Sequence, residues 1–260
     1  MRQAYINCGV QKGRTIYVTG NLGRVGLLHV NGAADKAATI DAHISILLEL
    51  IGEHGNIAFP THSTELVGSG LEFDPYSTPT KFTLSEALRK AIPHERQFHP
   101  FLSTSVHGPD AKELVPQGIF PHCFGHGSPM AQLRDADCLH VSIGEPVRKT
   151  ISAVHHCELI AGVPYRYVKA FNVACLLEGE RKEKEFFLHV WYRKMDMKRD
   201  GNQKITDLPG IKNAIRSENV GRSVISSVPI KTFIDTTLSA MRRDPYIWLA
   251  TKPTIRPWEE

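Results

Sequence analysis

The sequence is short of several things, and each shortage argues against a class of function. It has five cysteines (Cys8, Cys123, Cys138, Cys157 and Cys175), an odd number with no Cys-x-x-Cys pair. That pattern argues against a disulfide framework and for a reducing cytoplasm. No apolar run reaches membrane-spanning length, and the opening MRQAYINCGVQKGR lacks the apolar centre of a signal peptide. The net charge of +4 is small, and the Lys and Arg residues are scattered without interleaved aromatics. Neither nucleic acid nor membrane is therefore an expected partner. There is no repeat and no low-complexity linker, so one domain over 1–260 is expected, with 1–7 and 253–260 as loose termini.

What is present is a chain of ordinary globular composition, 42% hydrophobic and 22% charged, long enough to bury a proper core. Its most informative stretch is FGHGSPMAQLRDADCLHVSIGEPVRKTISAVHHCE, residues 124–158. It closes on Ser152-x-x-His155-x-x-Glu158. Three-residue spacing on a helix puts these side chains on one face. A hydroxyl, an imidazole and a carboxylate together can move protons at neutral pH.

Upstream, Arg14–Val18 reads as a strand running into Thr19-Gly20-Asn21-Leu22-Gly23-Arg24-Val25-Gly26. Its glycines let backbone approach a ligand, and its N–H groups with Arg24 suit phosphate; a glycine-rich loop with no ligand fits the same residues. Asp35–Ile51 has helical spacing, with Ile40, Ile44, Leu47, Leu48 and Ile51 apolar, and Gly52 and Gly55 stop it. Asn56–Pro60 reads as a second buried strand, so strand, helix and strand form a crossover with parallel strands. His62 then falls at a strand end, where such sheets place ligand groups. Further on, residues 84–91 read as a helix and 137–143 as a strand. Residues 168–177 and 184–192 read as a hairpin, 211–218 as a helix, and 230–242 as a final helix.

These segments resemble, in order, the motifs of the aminoglycoside 3-N-acetyltransferase family, the antibiotic N-acetyltransferases outside the GNAT type. Gly9 to Gly13 with the following strand and Leu22 is similar to its opening GxxKGDxxxVHSSLxxxG. Ile51 to Thr61 is similar to GxxGTLxxPT, and Phe73-Asp74-Pro75 with Ser77-Thr78-Pro79 to FDPxxTP. Arg96, His99-Pro100 and Ser103 resemble RSxHPxxS; Phe124 to Leu133 resembles FGxxSPxxxL; Ser152, His155 and Glu158 resemble TxxHxxE. Leu208 to Ile211 resembles the later DFxxIG. The likeness spans roughly residues 8 to 240 and departs at three points. Thr19-Gly20-Asn21-Leu22 stands where the family has His-Ser-Ser-Leu, Gln97 replaces a Ser, and Ser152 replaces a Thr.

The resemblance implies an α/β fold, a single α/β/α layered domain with a mixed central sheet. It implies an enzyme that passes an acetyl group directly from acetyl-CoA to an amine, with no metal. An aminoglycoside is the first acceptor to consider; a biosynthetic amino sugar or another amine is the alternative. His155 is the implied base, with Ser152 and Glu158 beside it, although Asp196 or Asp207 could be its acidic partner instead. Residues 19–26 and Ser103 are the implied coenzyme contacts. His62, Asp74, Ser77, Thr78, Arg96 and His99 are the implied acceptor contacts, with turn formation an equal reading for Asp74, Ser77 and Thr78. His99 could equally be a loop histidine satisfying backbone carbonyls. Three rivals remain on the residues alone: a metal site among His122, Cys123, His126, His155, His156, Cys157 and Glu158; a thiol nucleophile at Cys123 or Cys157; and a binding domain without catalysis. A homodimer is also compatible with the sequence.

Overall fold

The computed structural model describes residues 1–256. Its first third carries α1 (Arg2–Asn7), β1 (Thr15–Gly20), α2 (Leu22–Val25), β2 (Leu28–Val30), β3 (Ala33–Asp35), α3 (Lys36–Ile51) and β4 (Asn56–Pro60). The middle carries α4 (Thr83–Ala91), β5 (Glu95–Arg96), β6 (Thr104–His107), α5 (Ala111–Leu114), α6 (Pro129–Asp135), β7 (Leu139–Ile143) and α7 (Ala153–Ala161). The last part carries β8 (Arg166–Leu177), β9 (Glu180–Trp191), α8 (Gln203–Thr206), α9 (Pro209–Lys212), β10 (Arg216–Val220), β11 (Ser223–Pro229) and α10 (Ile230–Arg243).

Every residue of β4 and β7 is buried, as in strands covered on both faces. These two flank β1, and both pair with it in parallel, Ile16 standing opposite Ile57 on one side and Leu139 on the other. The crossover through α3 fixes that direction. Asp35 caps α3 by accepting the Ala38 N–H at 2.9 Å, and Gly52 ends it at φ +65°. Antiparallel strands complete a seven-stranded mixed sheet in the order β10-β11-β7-β1-β4-β6-β5.

Side chains along the central strands alternate between two cores, as period-two geometry requires. Ile16, Val18, Ile57 and Phe59 join Leu47 and Ile51 of α3 in one. Tyr17 and Ala58 join Leu133, Val154 and Phe233 of α6, α7 and α10 in the other. Helices thus cover both faces, giving the expected α/β/α layering. Leu47 is fully buried, so Leu47→Ala would cost about 2–5 kcal/mol.

The structure departs from the sequence expectation in four places. Residues 2–7 form α1, whose Tyr5 is buried and hydrogen-bonded to His43 Nδ1 at 2.5 Å, so this end is docked. Residues 211–218 are not one helix: α9 stops at Lys212 and β10 starts at Arg216, because β11 offers that segment an antiparallel partner. The β8–β9 hairpin forms as expected but makes its own two-stranded sheet. It is held by a third core of Leu66, Phe73, Phe101, Val173, Cys175 and Phe186. In the expected loose tail, Asp196 accepts the Thr254 and Ile255 N–H groups at 2.9 and 3.0 Å; residues 257–260 lie outside the described residues.

Candidate active site

The carboxyl ends of β1 and β4 open onto a cavity of about 800 Å³, bordered also by the turn after β7. Thr19, Gly20, Asn21, Leu22 and Gly23 line it; Arg24, Val25 and Gly26 do not. The glycine-rich segment is shaped mainly by packing. A Cβ on Gly20 would lie 2.1 Å from the Ile143 carbonyl oxygen of β7, so only glycine fits there. Asn21 caps α2 by accepting the Gly23 N–H at 3.2 Å. Arg24 is paired with Glu145 at 2.8 Å, and Val25 is core.

The cavity's positive charge comes from residues that carry no motif: Lys36, Lys81, Lys149 and Arg222. The first turns of α3 and α4 add the positive ends of two helix dipoles. Leu27, Ile40, Phe82 and Leu84 give it apolar walls. Such a lining fits a long ligand with several phosphates and an apolar arm.

His62 and Ser152 line the same cavity. Burial, reinforced by the charges of His155, His99, Lys81 and Arg96, pushes the His62 imidazole down to about 3, so it is neutral at physiological pH. His155 does not line the cavity, although Ser152, three positions earlier, does. The His155 side chain is 34% exposed and packs edge-on against Trp248, ring centres 5.7 Å apart. Ser152 precedes the first turn of α7, and its carbonyl accepts the His155 N–H. One turn on, Glu158 is fully buried and holds His155 Nδ1 at 2.6 Å. Its other oxygen accepts from Arg166 Nε at 2.8 Å.

Arg166 is the residue that sequence reasoning missed here. It opens β8, beyond the left-handed Gly162 that ends α7, so no single element's periodicity links it to Glu158. Its guanidinium also donates to the His189 carbonyl at 2.8 Å and lies over Trp191 and Trp248. Burial pushes the Glu158 carboxyl up, but the His155 and Arg166 contacts outweigh it and hold it below its ordinary value. Of the three carboxylates considered, Glu158 is the one in contact with His155. Asp196 holds the tail, and Asp207 accepts from Gln203 at 2.9 Å.

The other expected contacts do not line the cavity. Arg96 has five N–H donors, and its contacts spread over all three nitrogens: Nε to Ser103 Oγ, one terminal nitrogen to the Pro75 and Thr78 carbonyls, the other to the Thr61 carbonyl and Ser63 Oγ. Ser103 is buried in that network and donates to the Thr61 carbonyl, so it faces no coenzyme. His99 is buried between Phe101 and Phe186, and its Nδ1 accepts the Phe101 and Leu102 N–H groups. Asp74, Ser77 and Thr78 form a turn that satisfies itself, Ser77 Oγ donating to Asp74 at 2.6 Å and the Asp74 N–H to Thr78 Oγ1 at 2.9 Å. Of the six expected acceptor contacts, only His62 faces the cavity.

The rival chemistries lack their geometry. Cys123 and Cys157 are buried, and burial pushes the Cys123 thiol up to about 12 and the Cys157 thiol well above its ordinary value. Thiols in that condition are poor nucleophiles. Among the described residues, no three His, Cys, Asp or Glu side chains gather as a ligand set. His122 stacks on Phe187 at 4.8 Å, and His156 accepts the Gly125 N–H. Among the described residues, no helix is long and apolar enough to cross a membrane.

Comparison with solved structures gives close fold matches at low identity. AAC-IIIb, as a binary complex with CoASH, matches with a TM-score of 0.78 at 17% identity, covering 97% of each chain. AAC-VIa bound to sisomicin matches with a TM-score of 0.72 at 19% identity, covering 93% of this chain and 96% of that one. The YokD protein from Bacillus subtilis matches with a TM-score of 0.73 at 19% identity, covering 94% and 98%. Comparison with curated proteins gives no significant match. The sequence profile of the antibiotic N-acetyltransferases, described as aminoglycoside 3-N-acetyltransferase, matches residues 19–242. A profile match over so much of the sequence, on a fold shared with these acetyltransferases, settles the relationship: the chain belongs to the aminoglycoside 3-N-acetyltransferase family of acyltransferases.

Proposed function

We propose that the chain is a single-domain, acetyl-CoA-dependent N-acetyltransferase with His155 as general base. The observation that carries this is the 2.6 Å contact between His155 Nδ1 and the buried Glu158 carboxylate, beside a cationic cavity. The contact puts a proton on Nδ1 and leaves Nε2 with a free lone pair. That nitrogen takes the proton of the attacking amine, and Glu158 stabilises the imidazolium that forms. Acetyl-CoA, when bound, supplies the acetyl group as a thioester and leaves as the free thiol.

Lys36, Lys81, Lys149 and Arg222 would hold its phosphates, and the apolar wall its arm. That AAC-IIIb, which shares the fold, forms a binary complex with CoASH supports coenzyme binding by the chain. Thr19 and Ser152, hydroxyls that line the cavity, would donate to the oxyanion that develops at the carbonyl. Glu145 limits how the cavity uses its charge, because Arg24 and Lys149 both face it, at 2.8 and 3.8 Å. The five free, buried cysteines support a reducing cytoplasm.

The acceptor amine belongs to an aminoglycoside or to another amino sugar. The second is favoured by one observation: Glu158, the carboxylate in contact with His155, has both oxygens engaged and offers nothing to a polycation. A thiol-release assay with acetyl-CoA against aminoglycosides and nucleotide-linked amino sugars tests the activity. His155→Ala should abolish release while leaving coenzyme binding, read by thermal shift, intact. Unchanged turnover in that variant removes His155 from the mechanism.

A further inference from the structure

Two donors packed against Trp248, the ring that touches His155, have no hydrogen-bond acceptor among the described residues. Arg199 is exposed and, among the described residues, makes no ion pair. Its guanidinium lies over Trp191 at 4.0 Å and over Trp248 at 5.5 Å, and Trp248 in turn touches the His155 ring. Trp191 Nε1 is a buried N–H with no partner. The next carboxylate along the chain, Asp200, accepts the Lys204 N–H through Oδ2 at 2.8 Å and makes no ion pair with Arg199, while its Oδ1 is buried without a partner among the described residues.

We propose that the acceptor carries a negatively charged group, a phosphate or carboxylate, which Arg199 binds while the amine sits at His155. The proposal rests on His155 being the base. One tryptophan ring separates the two groups, so amine and anion lie on one small molecule of about monosaccharide size. A planar guanidinium packed over an indole can offer its N–H edge for two-point binding of such an oxyanion.

The test compares glucosamine 6-phosphate, glucosamine and kanamycin, by thiol release and by tryptophan fluorescence titration. The phosphorylated sugar should bind saturably, quench fluorescence, and bind at least about tenfold more tightly than glucosamine, as a charge-assisted pair warrants. Arg199→Ala should collapse that ratio through KM or Kd with little change in kcat, and Arg199→Lys should restore part of it. Equal binding of the two sugars, or tighter binding of kanamycin, overturns the inference. So does an unchanged ratio in Arg199→Ala. The proposed reaction is judged separately: it fails if no acceptor, charged or not, releases thiol, or if His155→Ala does not stop release.

Discussion

Glu158→Gln isolates the charge at the centre of the site. The substitution keeps shape and one acceptor oxygen for Arg166, but removes the negative charge shared between His155 Nδ1 and Arg166 Nε. Glu158 has no exposed side-chain surface, so solvent cannot compensate. Breaking a buried pair by neutralising one member costs about 3–5 kcal/mol, and the retained oxygen puts this case near 3. For a chain of this size, about 1 kcal/mol moves Tm by about 2–4 °C, so a fall of roughly 6–12 °C is expected. Catalysis should suffer more. The imidazolium loses its counter-charge, and kcat should drop by ~10²–10⁴. Thermal unfolding and thiol release at neutral pH on the same preparations give both numbers. A double-mutant cycle with His155→Ala adds a third: if the two residues act as a unit, the double variant is no slower than the worse single one. A variant with lowered Tm but wild-type kcat would show that Glu158 only holds the fold.

Acid should unfold the chain early. Burial pushes the imidazoles of His43, His99 and His156 down to about 4 and that of His140 to about 3, all from an ordinary 6.5. Their folded values are depressed, so the unfolded chain takes up protons first; stability is full above pH 6.5 and drains away toward pH 4. Four such groups cost together roughly 5 kcal/mol per pH unit, against a typical total of about 5–15, so a circular-dichroism titration should show unfolding near pH 5. A chain still folded at pH 4 would contradict this. Cys123→Ala and Cys157→Ala, made singly, should keep wild-type kcat in the thiol-release assay; a dead variant would revive nucleophilic thiol chemistry. Charge reversal at Lys36 or Lys149 should raise KM for acetyl-CoA about tenfold, with a weakened salt dependence, and leave kcat nearly unchanged. An unaltered KM would move the phosphates elsewhere.

Much of the fold was legible because its signals are local. The α3 periodicity ends at a glycine, and β4 and β7 are short apolar runs. The β10 segment was misread because Arg216–Val220 is polar and becomes a strand only through pairing with β11. In the site, His155 and Glu158 were found because three residues make most of a helical turn. Arg166, Arg199, Trp191 and Trp248 were not. They come from the hairpin, a loop and the segment after α10, and only tertiary packing brings them together. Arg96 and His99 misled for the opposite reason. Polar residues in a loop look ready for a ligand, yet here they stitch that loop's carbonyls and amides to their neighbours.

The two halves of the site grow from different parts of the chain. The chamber under Thr19 and His62 is framed by the central strands, whose spacing cannot shift without disturbing the whole sheet. The wall facing the other side of His155 is borrowed from Trp191 at the end of a separate ribbon and from Trp248 beyond the last helix. Rewriting such peripheral segments is cheap in stability. A lineage built this way can exchange one recipient molecule for another while its donor compartment stays fixed, and randomising residues 191–200 and 244–250 is where directed evolution of selectivity should begin.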